Sequence, residues 1–231
     1  MINLCLARCS RVTQSAAPQI DHIVTSVATT ILPRMHESFE ALARTAMSRT
    51  MSRTWSDATA GATRRLVFFC PDIGETSTIT RAQQFIDEGY AVTVFGFRRG
   101  RYNLGYEPAW PCIEFGRTLD GNYRQRLRAL MAALPVLLAH RRVLRAATVF
   151  YARNMDQLLL AILARLLVFS RAPLVYEVLD IPPILIRRGA AAAVLRGVER
   201  LCLRLVRLLV LSSPGFHRGY YEPVQRYRGA W

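Results

Sequence analysis

Four polar stretches in this sequence follow directly on short apolar runs, and they hold the residues best suited to chemistry. Gly74 lies in PDIGETS; Arg153, Asn154 and Asp156 in RNMD; Glu177 and Asp180 in YEVLD; Ser212 and Ser213 in LSS. A glycine just before a helix lets a ligand approach the backbone, and the helix N-terminus favours an anion there. An arginine such as Arg153 can clamp phosphate or hydroxyl oxygens. A carboxylate at a strand end, Asp180 in particular, can accept a proton from a hydroxyl. Structural roles compete with each of these. Asn154 or Asp156 can cap a helix, Asp180 can sit in the turn before Pro182 and Pro183, and Glu177 can pair with an arginine.

Other chemistries lack their residues. There is no G-x-G-x-x-G after a strand and no G-x-x-x-x-G-K-[ST], so neither fingerprint of tight nucleotide phosphate binding is present. Arg98 and Arg99 end the second apolar run in GFRRG, where a dinucleotide site would carry an acid; a solvated basic loop accounts for them. His22, His36, His140 and His217 are dispersed, with no partner at metal-ligand spacing and no G-x-S-x-G nucleophile elbow nearby. The five cysteines form no C-x-x-C pair; Cys70 and Cys202 fall in apolar runs and read as buried thiols in a reducing, cytoplasmic compartment. Neither a cofactor nor a metal is expected.

The elements that must position the polar stretches follow from periodicity. Leu66–Cys70, Ala91–Gly96, Cys112–Phe115, Thr148–Tyr151, Pro173–Val178 and Leu208–Leu211 read as strands, several wholly apolar as strands buried on both faces should be. Helical patterns separate them: Ile79–Glu88, Tyr123–Arg145 kinked at Pro135, a helix from Asn154 or Asp156 to Leu167, and Pro183–Arg207. On the second of these, Leu127, Leu130, Met131, Leu134, Leu137 and Leu138 share one face, expected to pack. Short strands alternating with helices define an α/β fold: a Rossmann-like, doubly wound parallel sheet over residues 65–231. Ligands bind such sheets outside the carboxyl ends of the strands, where the polar stretches fall. Residues 1–64, rich in Ser, Thr, Ala and Arg, are expected to form a loosely ordered N-terminal extension.

Charge adds a second theme. All 31 basic residues are arginine and the net charge is +15, a field that draws anionic partners. Arg196, Arg200, Arg204 and Arg207 fall at i, i+4, i+8 and i+11, so a continuous helix would align them in one stripe suited to an anionic membrane surface. No apolar run is long and unbroken enough to cross a bilayer. Nucleic acid ranks below a membrane as a partner, because no aromatic-plus-basic motif of the RNP kind is present.

The order LVFFCPDIG…RAQQFIDEGYAVTVFGFRRG, then FYARNMDQLLLA, then LVYEVLDIP…RGVERLCLRLVRLLVLSSPGF resembles the amino-terminal half of bacterial family-4 glycosyltransferases. Within that family it looks most similar to enzymes of exopolysaccharide assembly, such as succinoglycan biosynthesis glycosyltransferases. The resemblance covers about residues 65–231. It implies one lobe of a two-lobed GT-B enzyme: the acceptor lobe, holding a lipid-linked or saccharide acceptor at the inner face of the plasma membrane. The nucleotide-sugar donor would bind a second lobe, usually through paired glutamates, and no positions here match it. The chain is therefore expected to be truncated or split, with the strip GYYEPVQRYRGAW poorly packed on its own and little or no activity alone. Gly74, Arg153 and Asn154 are the acceptor-side candidates, Asp180 the catalytic one, and Glu199 of the E-R pair is structural. The competing reading is a non-catalytic basic module that docks on anionic membrane or an assembly partner.

Overall fold

The computed structural model describes residues 64–99, 103, 105–117 and 123–231, with side chains in the helix that opens at 123 described from Arg128 onward. The expected extension, 1–64, therefore lies outside the described residues except for Arg64. Six strands form one sheet: β1 (Arg65–Cys70), β2 (Ala91–Arg98), β3 (Cys112–Arg117), β4 (Val149–Arg153), β5 (Leu174–Val178) and β6 (Leu208–Leu211). Their order is β3-β2-β1-β4-β5-β6, and every pairing is parallel. The α/β, Rossmann-like expectation is thus met. The order reverses between β1 and β4, and sheets of this kind bind ligands in the crevice outside such a switch point.

Alternation along β1 divides the core. Leu66, Phe68 and Cys70 face helix α1 (Thr76–Asp87), packing with Ala82, Val92, Val94 and Tyr151. Phe68, Phe85 and Tyr151 meet there edge to face, an arrangement that rings prefer. Phe69 faces the other way and stacks with Phe95 and Phe150. Helix α2 (Tyr123–Ala139), α3 (Arg141–Ala146) and α4 (Met155–Leu167) cover that second face; His140, at the end of α2, lies edge-on to Phe95. The sheet needs its helices on both faces because parallel strands bury both.

Two predicted helices are each divided. The span expected as Tyr123–Arg145 breaks at His140, whose ring nitrogen Nδ1 lies 2.9 Å from the Val136 carbonyl at the end of α2. Ala133 and Leu137 are buried, but Met131 and Leu138, expected in the packed face, are exposed. The span expected as Pro183–Arg207 becomes α5 (Pro183–Ile186) and α6 (Ala190–Leu203), interrupted where Gly189 takes a φ of 139°. Since α6 stops at Leu203, Arg204 and Arg207 are not on a helix, and the four-arginine helical stripe does not form.

The chain divides into two compact units. The sheet belongs to the unit of Met51–Ile181 and Glu199–Trp231. Of the other unit, the described residues are 182–198, in which Arg196 donates to the carbonyls of Leu185 and Arg187 at 2.8 and 3.0 Å.

After β6 come a short turn of helix, α7 (Pro214–Phe216), and a π-helical turn at His217–Tyr221. The expectation of a poorly packed strip is corrected here. Tyr220, Tyr221, Gln225 and Tyr227 are buried, and Ala230 forms a parallel bridge to Leu208.

Candidate functional site

The segments that leave β1, β4, β5 and β6 form the rim nominated by the sequence. The first is folded tightly onto the end of β2. Asp72 Oδ1 accepts from the Gly74 N–H (3.1 Å) and the Arg99 N–H (3.4 Å), and Ile73 N–H donates to the Phe97 carbonyl at 2.9 Å. The Gly74 carbonyl accepts from Asn103 Nδ2 at 2.9 Å, so both sides of its peptide group are tied into the loop. This close approach depends on Gly96: a Cβ there would lie 2.5 Å from Cys70 Sγ and 2.9 Å from both the Cys70 oxygen and Ile73 Cγ1. Asp72 is 3% exposed, and its second oxygen, Oδ2, has no hydrogen-bond partner among the described residues. A buried polar atom of that kind gains from any donor a ligand brings.

The sequence placed Arg153 in the loop after the fourth strand; the strand instead runs two residues further and ends on it. In that register Arg153 lies opposite Glu177 of β5. Its Nε donates to Glu177 Oε2 at 2.7 Å, and its Nη1 to Ser77 Oγ at 2.9 Å. The guanidinium also lies over the Phe68 ring, 5.5 Å from its centroid. Arg81, from α1, donates to the other Glu177 oxygen at 2.7 Å. Glu177 thus pairs with arginine as expected, and with two. Arg153, only 1% exposed, is occupied in joining β4, β5 and α1. It lies beneath the rim, at the end of β4.

Asn154 follows with φ 70° and ψ 160°, a conformation that costs a non-glycine residue roughly 1–3 kcal/mol and persists only when held by its surroundings. It is held: its N–H donates to the Glu177 carbonyl (3.0 Å), and its carbonyl accepts from Leu158 N–H (3.0 Å). Its side chain makes no capping bond although it occupies the N-cap position of α4. Asp156 Oδ1 accepts from the next N–H, that of Gln157, at 3.1 Å. Gln157 is fully buried in the first turn of α4, with neither amide atom partnered among the described residues. Asp180 is exposed, two residues past the end of β5. Ser212 Oγ donates to the Leu179 carbonyl at 2.9 Å, and Ser213 caps α7 by accepting from Gly215 N–H at 3.1 Å.

The structure therefore brings Gly74, Asn154 and Asp180 to one end of the sheet, with Arg153 beneath. Asp72 and Ser77 lie in the nominated stretch PDIGETS without having been singled out, and Arg81 lies beyond it. Asp72 carried a legible signal, being the first acid after a wholly apolar run; Ser77 and Arg81 became partners of Arg153 and Glu177 only through folding.

Glu199, read from sequence as structural, is 1% exposed. It accepts from Tyr220 OH (2.6 Å), Gln225 Nε2 (2.6 Å), Tyr221 OH (3.1 Å) and Tyr176 OH (3.5 Å). These are neutral donors, and burial pushes its carboxyl above the usual range. This hub fastens the segment after β6 onto α6 and β5.

Burial likewise pushes the Cys70 thiol well up and Cys202 to about 12, so neither is poised as a nucleophile. Among the described residues no group of three or more His, Cys, Asp or Glu side chains is gathered as a metal site, and no helix is long and apolar enough to cross a membrane.

Fold and rim define a Rossmann-like α/β unit with polar residues gathered at the carboxyl ends of its strands. Comparison with known proteins adds a relative. The chain is 32% identical over 164 residues to the succinoglycan biosynthesis protein ExoL of Rhizobium meliloti (strain 1021), a match covering 69% of this chain and 40% of the relative. The chain thus spans well under half the length of the relative it matches. No family model matches it.

Proposed function

We propose that these residues form the acceptor-binding lobe of a GT-B, family-4-like glycosyltransferase in cell-surface polysaccharide synthesis. The supporting observation is the 32% identity to a succinoglycan biosynthesis protein, in a chain whose described part is a Rossmann-like sheet with a polar rim. In this reading the acceptor, a saccharide or lipid-linked sugar, presents a hydroxyl to the crevice between the β1 and β4 segments. Asp72 Oδ2 and the Gln157 amide, both buried and unpartnered, belong to the two elements that border it and suit a ligand rich in hydroxyls. Gly74 and Asn154 line the approach, Gly74 held by Asp72 and Asn103 and Asn154 by the Glu177 carbonyl, with Arg153 beneath fixing Glu177.

The nucleotide-sugar donor is held by a second lobe outside these residues. In the transfer, the acceptor oxygen bonds to the anomeric carbon, the bond from that carbon to the nucleotide phosphate breaks, and the hydroxyl proton leaves to a carboxylate. Asp180, exposed at the rim, is the candidate from sequence; Asp72 is the candidate from the fold. The enzyme works at the cytoplasmic face of the plasma membrane.

The test is a binding and transfer assay on the purified chain with a lipid-linked saccharide and a panel of nucleotide-sugars. The expected result is saturable acceptor binding without transfer, and transfer once the part of the ExoL relative lacking a counterpart here is supplied. Tight nucleotide-sugar binding by this chain alone, or no acceptor binding, overturns the reading.

A further inference from the structure

Helix α2 is inverted relative to an ordinary surface helix. Its inward residues, Ala133 and Leu137, are buried against the sheet, yet its outward face is apolar too. Met131 is 60% exposed and Leu138 51% exposed. Ala132, Pro135 and Ala139 are also exposed, and at 100° per residue these five positions share one broad stripe. From Ala129 to Ala139 there is no charged side chain. A solvated helix places its charged residues on this face.

Arginines bracket the stripe. Arg128 is exposed at one end, and Arg141, Arg142 and Arg145 are exposed on α3 at the other. Residues 123–147 contain six arginines and no acid, so the segment supplies no acid of its own to pair with them. Leu144 buries α3 from beneath and leaves its arginines outward. An apolar strip flanked by long cationic side chains is the pattern of a helix lying in a membrane interface, where the strip enters the acyl boundary and the guanidiniums reach anionic headgroups.

From the exposed strip Met131–Leu138 and its bracketing arginines, we infer that α2 and α3 form a docking surface for an anionic phospholipid bilayer. This replaces the arginine stripe expected on α6. Two of those guanidiniums, Arg196 and Arg200, are already engaged by backbone carbonyls, and the other two lie beyond the helix. Charge decides the occupant. A protein partner for this face would need an acidic rim around an apolar ridge, whereas a bilayer of phosphatidylglycerol supplies both everywhere. Each arginine near such a surface adds roughly fivefold to affinity, less as salt rises.

The test is co-sedimentation of the full chain with vesicles of phosphatidylglycerol and phosphatidylethanolamine, against vesicles of phosphatidylcholine alone. It needs no sugar transfer, so its outcome is independent of the proposed enzymatic role. The chain is expected to pellet with the anionic vesicles and not the neutral ones. Met131→Asp with Leu138→Asp should lower binding at least tenfold, and Arg141→Glu with Arg142→Glu by a similar factor that narrows at high salt. All four side chains are exposed, so circular dichroism and the unfolding midpoint should stay unchanged. Parent-like binding by either double variant, equal pelleting with neutral lipid, or no pelleting overturns the inference. So does loss of self-association in the Met131→Asp, Leu138→Asp variant with vesicle binding intact, because the face would then be a protein interface.

Discussion

Arg153 and Glu177 face each other from the ends of β4 and β5, with Nε and Oε2 2.7 Å apart and both side chains 2% exposed. Arg81 completes the arrangement from α1 by taking the second Glu177 oxygen. Two strands and a helix are thereby joined next to the point where the sheet order reverses, at the end that carries the polar rim. The pair gives the rim a fixed floor and explains why a residue suited to gripping a ligand is withdrawn from solvent.

Removing one partner of this pair leaves a buried charge with reduced compensation. Arg153→Met is expected to destabilise the fold by about 3–5 kcal/mol. Arg153→Met combined with Glu177→Leu should recover part of that loss, since neither charge then remains from the pair. Urea denaturation followed by circular dichroism measures both, and a single variant as stable as the parent contradicts the role assigned to Arg153.

Gly96→Ala places a methyl group against Cys70 and Ile73, and the atoms of Cys70 include its backbone oxygen. Relief requires the β1 segment to move away from β2. A loss of roughly 1–3 kcal/mol is expected, together with weaker acceptor binding, because Asp72 and Gly74 move with the segment. Calorimetric unfolding and acceptor titration on the same sample check the two effects together.

Glu199 sets a pH dependence of stability. Burial raises its carboxyl above the ordinary 4.5, so the folded state binds its proton more tightly than the unfolded chain. That contribution is full below pH 4.5 and is lost as pH rises through the raised value. The difference in stability between the parent and Glu199→Gln should slope in this sense across that window and flatten above it. Glu199→Ala, which leaves three tyrosine hydroxyls and the Gln225 amide without their shared acceptor, should cost more than Glu199→Gln at every pH. Paired denaturation series from pH 4 upward test both statements.

Asp72 and Asp180 can be separated as proton acceptors. Asp180→Asn alters an exposed side chain, so the fold should be unaffected. If Asp180 takes the proton, transfer by the completed enzyme should fall about 10²–10⁴-fold with acceptor affinity retained. Asp72→Asn keeps the shape of the loop but turns the unpartnered oxygen site into a donor when the amide nitrogen occupies it. It should weaken acceptor binding first. Loss of transfer confined to Asp72→Asn, with binding intact, assigns the proton to Asp72 instead.

Much of the fold was legible because parallel strands buried on both faces must be short and wholly apolar, as LVFFC and LLVL are. The polar residues after each run were equally visible, since ligand loops of such sheets follow the carboxyl ends. Boundaries were harder. Two more residues in β4 moved Arg153 from loop to ladder, a change that depends on pairing with Glu177 across 24 positions of sequence. Gly189 read as one residue within a helical pattern, but its positive φ divides that helix. Met131 and Leu138 looked like core because they are apolar and near other leucines; which side of α2 meets the sheet depends on how the helix crosses it.

By itself, then, the amino-acid order determined the class of architecture, the end of the sheet that carries the polar rim, and the cationic character of the surface. Those properties come from local periodicity and composition, which each segment expresses alone. Tertiary structure decided which charged groups are spent inside the molecule, Arg153 and Glu199 among them, and which apolar groups are left outside it. Burial and pairing belong to contacts between distant segments, and no single stretch of chain contains them.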